Sequence, residues 1–190
     1  RRTLALTLQD GGIIVLLSWG TVTAVSAVTL MATLGLDFTL AFFESVSAWT
    51  TTGLSVIDVE SAPRIVLLWR SIMQLAGGAG MAIILVTLAG GPLGPGITAA
   101  EGRSDQLVSH VRRSAGLVLS IYAAYAFFGS LALRVAGMTW FDAVNHAFCA
   151  VSTGGFSTRT ASIGSWDSLP IEIVTLPLMV LGSTNFQLAY

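Results

Sequence analysis

Two short stretches hold the residues best suited to chemistry in this 190-residue chain. The first is Thr50-Thr51-Thr52-Gly53-Leu54-Ser55, and the second is Val151-Ser152-Thr153-Gly154-Gly155-Phe156-Ser157. Neither offers a nucleophile with a base beside it. Both offer oxygen. A dehydrated alkali cation needs several oxygen ligands at once, and inside a membrane these come most readily from backbone carbonyls and hydroxyls turned toward one axis. Gly53 and Gly155 permit the backbone angles such a turn requires, and Thr51, Thr52 and Thr153 before them add oxygens. One such stretch alone reads equally well as a Ser/Thr-rich turn closing a helix. Two copies, each between a short amphipathic segment and a long apolar one, favour a pair of pore loops.

The elements that must position these loops follow from composition. The chain is 54% hydrophobic and 10% charged, against roughly 25% charged residues in a soluble domain. It therefore reads as an integral membrane protein surrounded by lipid. A net charge of −1 argues against a nucleic-acid partner. A single cysteine, Cys149, excludes an intrachain disulfide. No cleavable signal pattern precedes the first apolar run. The start at Arg1 and the stop at Tyr190, at the end of an apolar segment, lead to the expectation of a fragment.

Residues 11–36 carry no charge and are long enough to cross a bilayer with some tilt. Residues 37–49 are too short to span and fit a half-helix capped by Asp37. A second span is expected over residues 64–88, with Pro63 in its first turn. The run Gly90-Gly91-Pro92-Leu93-Gly94-Pro95-Gly96 breaks helix, and a polar linker extends to residue 113. A third span over 114–135, a second half-helix over 139–150 and a fourth span over 170–190 complete the series. The expected fold is an all-α membrane protein of two tandem span, pore-helix, filter-loop, span repeats, as in a potassium channel. Its parts are a cytoplasmic start (1–10), a first repeat (11–89), a cytoplasmic linker (90–113) and a second repeat (114–190).

The repeats superpose at an offset of 102 residues, which aligns Gly35 with Gly137, Asp37 with Thr139, Ala41 with Ala143, Ala48 with Ala150, Thr51 with Thr153, Gly53 with Gly155 and Ser55 with Ser157. Thr139 with Asp142 resembles a capping box with Asp in place of Glu. Beyond the loops the register slips, since ten residues separate Gly53 from Pro63 and fifteen separate Gly155 from Pro170. Arginines gather at the chain start and in the linker, so that side is expected to be cytoplasmic. The opposite side, which carries Asp58, Glu60 and Asp167, sums to −4 and suits a cation entrance.

Arg70 stands about two turns inside the second span, where an arginine costs about 2.5 kcal/mol or more unless it is paired or snorkels. Snorkelling is one reading, and a buried pair with Glu44 on the half-helix is the sharper one. His146 aligns with Glu44 and reads as a polar packing residue rather than a metal ligand. His110 falls in the expected linker. Gly77-Gly78-Ala79-Gly80 lies inside a span without a following Lys-Ser or Lys-Thr, so it reads as close helix packing or a pore-lining flexible point. Cys149 is expected to be inert. No catalytic constellation and no metal spacing emerge, and the chain is not read as an enzyme.

Ala41-Phe42-Phe43-Glu44-Ser45, the TTTGLS stretch, Leu67-Leu68-Trp69-Arg70-Ser71, Gln74 and the GGAG run together resemble the first repeat of the Trk/Ktr/HKT family of potassium transporters, most nearly its bacterial TrkH-type members. Phe141-Asp142-Ala143, His146-Ala147-Phe148, STGGFSTR, Ala161-Ser162-Ile163-Gly164, Gly182 and Asn185-Phe186 resemble its second repeat. The resemblance implies four repeats around one pore. It makes Gly53 and Gly155 filter glycines, with Thr51, Thr52, Thr153 and Gly154 turning carbonyls to the ion. Glycine rather than serine at the filter positions implies potassium over sodium. The implied cargo is K+, with no organic cofactor, at the inner (plasma) membrane of the cell. A cytosolic nucleotide-binding regulatory subunit is implied as partner.

Two of the four repeats are present, and the family's pore-obstructing loop and inner arginine are not seen. The missing half would come from a longer chain or from a second copy in a homodimer. Channel and coupled symport are not distinguished. A non-conducting scaffold subunit, a sodium-permeable member of the family and a membrane-embedded enzyme using Glu44 or His146 are the competing readings.

Overall fold

The computed structural model describes residues 8–90 and 104–183. Six α-helices account for most of them: α1 (Leu8–Leu34), α2 (Phe38–Trp49), α3 (Arg64–Gly90), α4 (Ser104–Val135), α5 (Trp140–Val151) and α6 (Leu169–Ser183), with a 3-10 turn at Ser162–Trp166. No strand occurs among the described residues. Three helices are long and apolar enough to cross a membrane, over Asp10–Leu34, Arg64–Ile84 and Ala115–Val135. The described part of α6 is shorter, at 15 residues, and residues 184–190 of the expected fourth span, with Asn185 and Phe186, lie outside the described residues.

The two short helices begin as their caps dictate. The Asp37 carboxylate accepts from the Leu40 amide at 2.9 Å. At the start of α5 the Thr139 hydroxyl oxygen accepts from the Asp142 amide at 3.2 Å and donates to the Asp142 carboxylate at 2.7 Å. This capping box closes side chain to side chain, because aspartate is one methylene too short for the usual reach back to the backbone.

Three boundaries differ from expectation. Helix α4 starts at Ser104, ten residues inside the expected linker, because the sequence holds neither Gly nor Pro between Ser104 and Ser114. His110 is therefore helical. Pro63 lies before α3 rather than in its first turn, and its carbonyl accepts from Val66 and Leu67 as an N-cap residue does. The register slip is three residues, not five: α3 and α6 start at positions 64 and 169, an offset of 105. Gly77 and Gly182, also 105 apart, make the same contact, lying against the carbonyls of Trp49 and Val151 so closely that a Cβ would overlap them. The turn at Ser162–Trp166 lies in the longer connection.

Alanine and glycine let each short helix sit close to its neighbours. Ala41 packs with Ala27, Leu30 and Val66 in the first repeat, while Ala143, Ala147 and Ala150 pack with Leu133, Met138 and Ile171 in the second. Ala48, Met73, Cys149 and Phe156 form the seam between the repeats. Large apolar side chains stay exposed on α1 (Leu16, Leu17, Val28), α4 (Phe127, Phe128) and α6 (Ile173, Leu176, Val180). Such faces suit hydrocarbon rather than water.

Candidate functional site

Helices α2 and α5 end in the same hydrogen-bonded turn. Thr51 N–H donates to Ala48 O at 3.1 Å and Thr52 N–H to Ser47 O at 2.9 Å. In the second copy Thr153 N–H donates to Ala150 O at 3.0 Å and Gly154 N–H to Cys149 O at 2.8 Å. This is the Schellman closure, which places its C′ residue in the left-handed region and usually fills that position with glycine. Here threonine fills it twice, Thr51 at φ 56° and Thr153 at φ 55°. A β-branched residue in that conformation costs about 1–2 kcal/mol. Both repeats thus hold the same strained conformation at the same position.

Positive φ returns two residues later, at Gly53 (81°) and Gly155 (107°). The backbone sign therefore alternates along both loops. The loops also touch: a Cβ on Gly53 would run into the carbonyl of Gly154. Thr52, Thr153 and Gly155 are exposed, while Thr51, Gly53 and Gly154 are half-buried. All six thus gather where the two short helices end.

Behind the first loop, Glu44 and Arg70 meet. Arg70 Nε lies 2.7 Å from Glu44 Oε1, with the two side chains 1% and 0% exposed. Arg70 Nη2 donates to Ser55 Oγ at 2.7 Å, Ser55 donates to Glu44 Oε1 at 3.0 Å, and Val56 N–H donates to Glu44 Oε2 at 2.9 Å. The arginine does not snorkel, since its guanidinium also lies 4.0 Å over the Phe156 ring. Behind the second loop, His146 Nε2 pairs with Ser157 Oγ at 2.9 Å, and Trp166 packs edge-on at 5.0 Å. The Asp142 carboxylate accepts from Thr158 at 2.6 Å.

The segments that follow the two loops are joined across the repeat boundary. Glu60 accepts from the backbone and hydroxyl of Thr160, and its other oxygen lies 3.7 Å from Arg159 Nη1. A cleft of about 260 Å³ beside this junction is lined by residues that include Gly53, Ser55, Asp58, Gly155, Ser157 and Arg159. Among the described residues no three His, Cys, Asp or Glu side chains come together as a metal site. Cys149 is buried, with Sγ 3.5 Å from Ser71 Oγ.

Sequence reasoning missed three parts of this arrangement. Asp142 was legible as a cap but not as the anchor of Thr158. Ser71 donates to Asn145 at 2.6 Å, a link between repeats that no internal alignment can show. Gln74 Oε1 accepts from Phe156 N–H at 3.3 Å, and a buried glutamine in an apolar span was the signal available for it.

The whole chain, residues 1–190, matches the family described as TrkH, Cation transport protein. It is 35% identical over 96% of its length to the Trk system potassium uptake protein TrkH of Halomonas elongata, covering 40% of that protein. It is 34% identical over 96% of its length to the Trk system potassium uptake protein TrkG of Escherichia coli, covering 39% of that protein. The crystal structure of the potassium transporter TrkH from Vibrio parahaemolyticus superposes over 100% of this chain and 39% of that one, with a TM-score of 0.83 at 32% identity. The chain thus spans about two fifths of the length of these relatives.

Proposed function

The chain belongs to the TrkH family of cation transport proteins, a family of transporters rather than enzymes, and on that premise we propose that it forms two of the repeats around a potassium uptake pore. Thr51, Thr52, Gly53, Thr153, Gly154 and Gly155 are its share of the selectivity filter. Reversal of the backbone sign at every second residue turns successive carbonyls toward one side instead of alternating them. The observation that carries the reading is this alternation, repeated at Thr51/Gly53 and Thr153/Gly155, in loops that meet at Gly53 and Gly154. The short helices add to it, because each aims its C-terminal carbonyl end, about half a negative charge, toward the same place. Potassium is then held by oxygens fixed before it arrives.

The cleft bearing Asp58 is the outer entrance, and the arginine-rich ends of the repeats face the cytoplasm of a cell-membrane protein. The remaining repeats come from the same longer polypeptide, as the shared two fifths of the relatives supports; a homodimer is the alternative. A cytosolic nucleotide-binding subunit would act from the cytoplasmic side.

The test is rescue of cells lacking potassium uptake, using the complete reading frame with and without Gly53→Ser. Growth at limiting potassium, with preference over sodium weakened by Gly53→Ser, is the expected result. Membrane expression without any uptake would turn the reading toward a non-conducting scaffold. Uptake of sodium in equal measure by the unaltered protein would turn it toward a sodium-permeable pore.

A further inference from the structure

The second Thr/Gly loop leans on a helix that belongs to the other repeat. Arg70, Gln74 and Gly78 stand one turn apart on one face of α3. The Arg70 guanidinium covers the Phe156 ring. Gln74 accepts from Phe156 N–H and lies so close to Gly154 that a Cβ there would overlap its carboxamide. A Cβ on Gly78 would come within 2.9 Å of Ser152 Cβ. The loop is thus met at 156, 154 and 152 as the helix advances from 70 to 78. One helical turn of four residues rises about 6 Å and two loop residues reach at most about 7 Å, so the two can stay in step over three contacts.

Gln74 is 0% exposed, and its Nε2 has no hydrogen-bond partner among the described residues. A leucine would fill this space without burying an unsatisfied donor, so packing alone does not explain glutamine. The hydrogen bond it does make has a directional consequence. In a trans peptide the N–H and the preceding C=O point in opposite directions within one plane. Fixing Phe156 N–H toward α3 therefore fixes the Gly155 carbonyl away from α3.

We infer that Gln74 is a positioning residue for the second filter loop, setting the direction of the Gly155 carbonyl across the repeat boundary and thereby the ion preference of that loop. The packing half of this inference stands on geometry alone; the ion-preference half rests on the pore reading.

Two arms test it with the complete protein. In the transport arm, Gln74→Leu in uptake-deficient cells is expected to lower potassium preference over sodium by about 2- to 10-fold, the scale of one buried hydrogen bond. The change should lie in the KM for potassium, with the maximal rate largely kept. In the packing arm, melting temperatures are compared for Gly154→Ala in the parent and in a Gln74→Ala background. Gly154 lies outside the left-handed region, and the atoms nearest to a Cβ there are all of Gln74. The melting shift caused by Gly154→Ala should therefore fall by at least half once Gln74 is shortened. Equal shifts in both backgrounds would overturn the inference whatever the transport arm gives. Unchanged preference in Gln74→Leu, beside a potassium-selective parent, would overturn the ion-preference half alone. A parent without potassium preference would overturn the pore reading, and with it that half, leaving the packing arm to decide the contact. If Gln74→Leu fails to reach the membrane, Gln74→Met, which keeps the length of the side chain without its carboxamide, carries the transport arm.

Discussion

Glu44 and His146 occupy the same position in the two repeats, and each accepts a hydrogen bond from the serine eleven residues further on. For His146 the roles follow from its other nitrogen. Nδ1 lies 2.8 Å from the Asp142 carbonyl, which can only accept. The proton of the neutral ring therefore sits on Nδ1, and Nε2 accepts from Ser157. Each serine oxygen in turn accepts a backbone N–H two residues on, from Ile57 and from Arg159. One bracing scheme is thus built from a carboxylate in one repeat and an imidazole in the other. The difference is that only the carboxylate needs a cation, and Arg70 supplies it.

That asymmetry predicts unequal penalties. Glu44→Gln leaves Arg70 buried without its counter-ion and should lower stability by about 3–5 kcal/mol. Glu44→Gln with Arg70→Met removes both charges and should recover much of the loss. His146→Phe leaves Ser157 and the Asp142 carbonyl one partner short, which should cost about 1–3 kcal/mol. Thermal unfolding of the purified full-length variants measures all of these. Strict additivity of the Glu44 and Arg70 substitutions would mean that the two do not interact.

A trade between stability and selectivity is expected at Thr51. Glycine at this left-handed position removes about 1–2 kcal/mol of strain, and the greater freedom of the unfolded chain returns about 0.5–1 kcal/mol of it. Thr51→Gly should therefore melt slightly higher than the parent. It also deletes a hydroxyl from the loop and loosens its backbone, so potassium preference should fall. A variant that is both more stable and equally selective would show that the threonine serves neither purpose.

The glycines of α3 should not behave alike. Gly77→Ala drives a Cβ into the Trp49 carbonyl, a backbone atom that cannot swing aside, and overpacking of this kind costs about 1–3 kcal/mol. Gly182→Ala meets Val151 in the same way. Gly80→Ala meets nothing within 4 Å, so helix propensity alone acts and should stabilise by up to about 1 kcal/mol. Opposite signs of the melting shift at positions 77 and 80 are the expected outcome.

These contrasts show where the sequence was readable. Local signals carried far: apolar length marked the spans, Asp37 and Thr139 marked the starts of the short helices, and the offset of 102 paired the loops. Arg70 and Glu44 could be brought together because a charge inside a span narrows the choice of partners. What stayed hidden was tertiary. Helix α3 seats Gln74 and Gly78 against the loop of the neighbouring repeat, while Arg70 reaches Ser55 of its own loop and Phe156 of the other, and a pattern internal to one repeat has no means of showing the cross-repeat contacts. The prolines overstate the register slip. Pro63 precedes its helix whereas Pro170 lies within α6, and the paired glycines Gly77 and Gly182 were the truer markers because backbone contact fixes them.

The clasp between Glu60 and Arg159 should affect the ion rather than the fold. Both side chains are about half exposed and 3.7 Å apart, so solvent and entropy leave the pair worth between nothing and about 1 kcal/mol. Arg159 lines the cleft, which gives the pair another consequence. If the cleft is the cation entrance proposed above, Glu60 neutralises a fixed positive charge at its mouth; Glu60→Gln leaves that charge unopposed, and Arg159→Gln leaves Glu60 unopposed. The KM for potassium should rise about two- to threefold in the first variant and fall in the second when measured at low ionic strength. At physiological ionic strength the Debye length is about 8 Å, and both shifts should shrink together. Uptake kinetics across a series of salt concentrations distinguish this from a structural effect, because a distorted filter would keep its altered KM at every ionic strength.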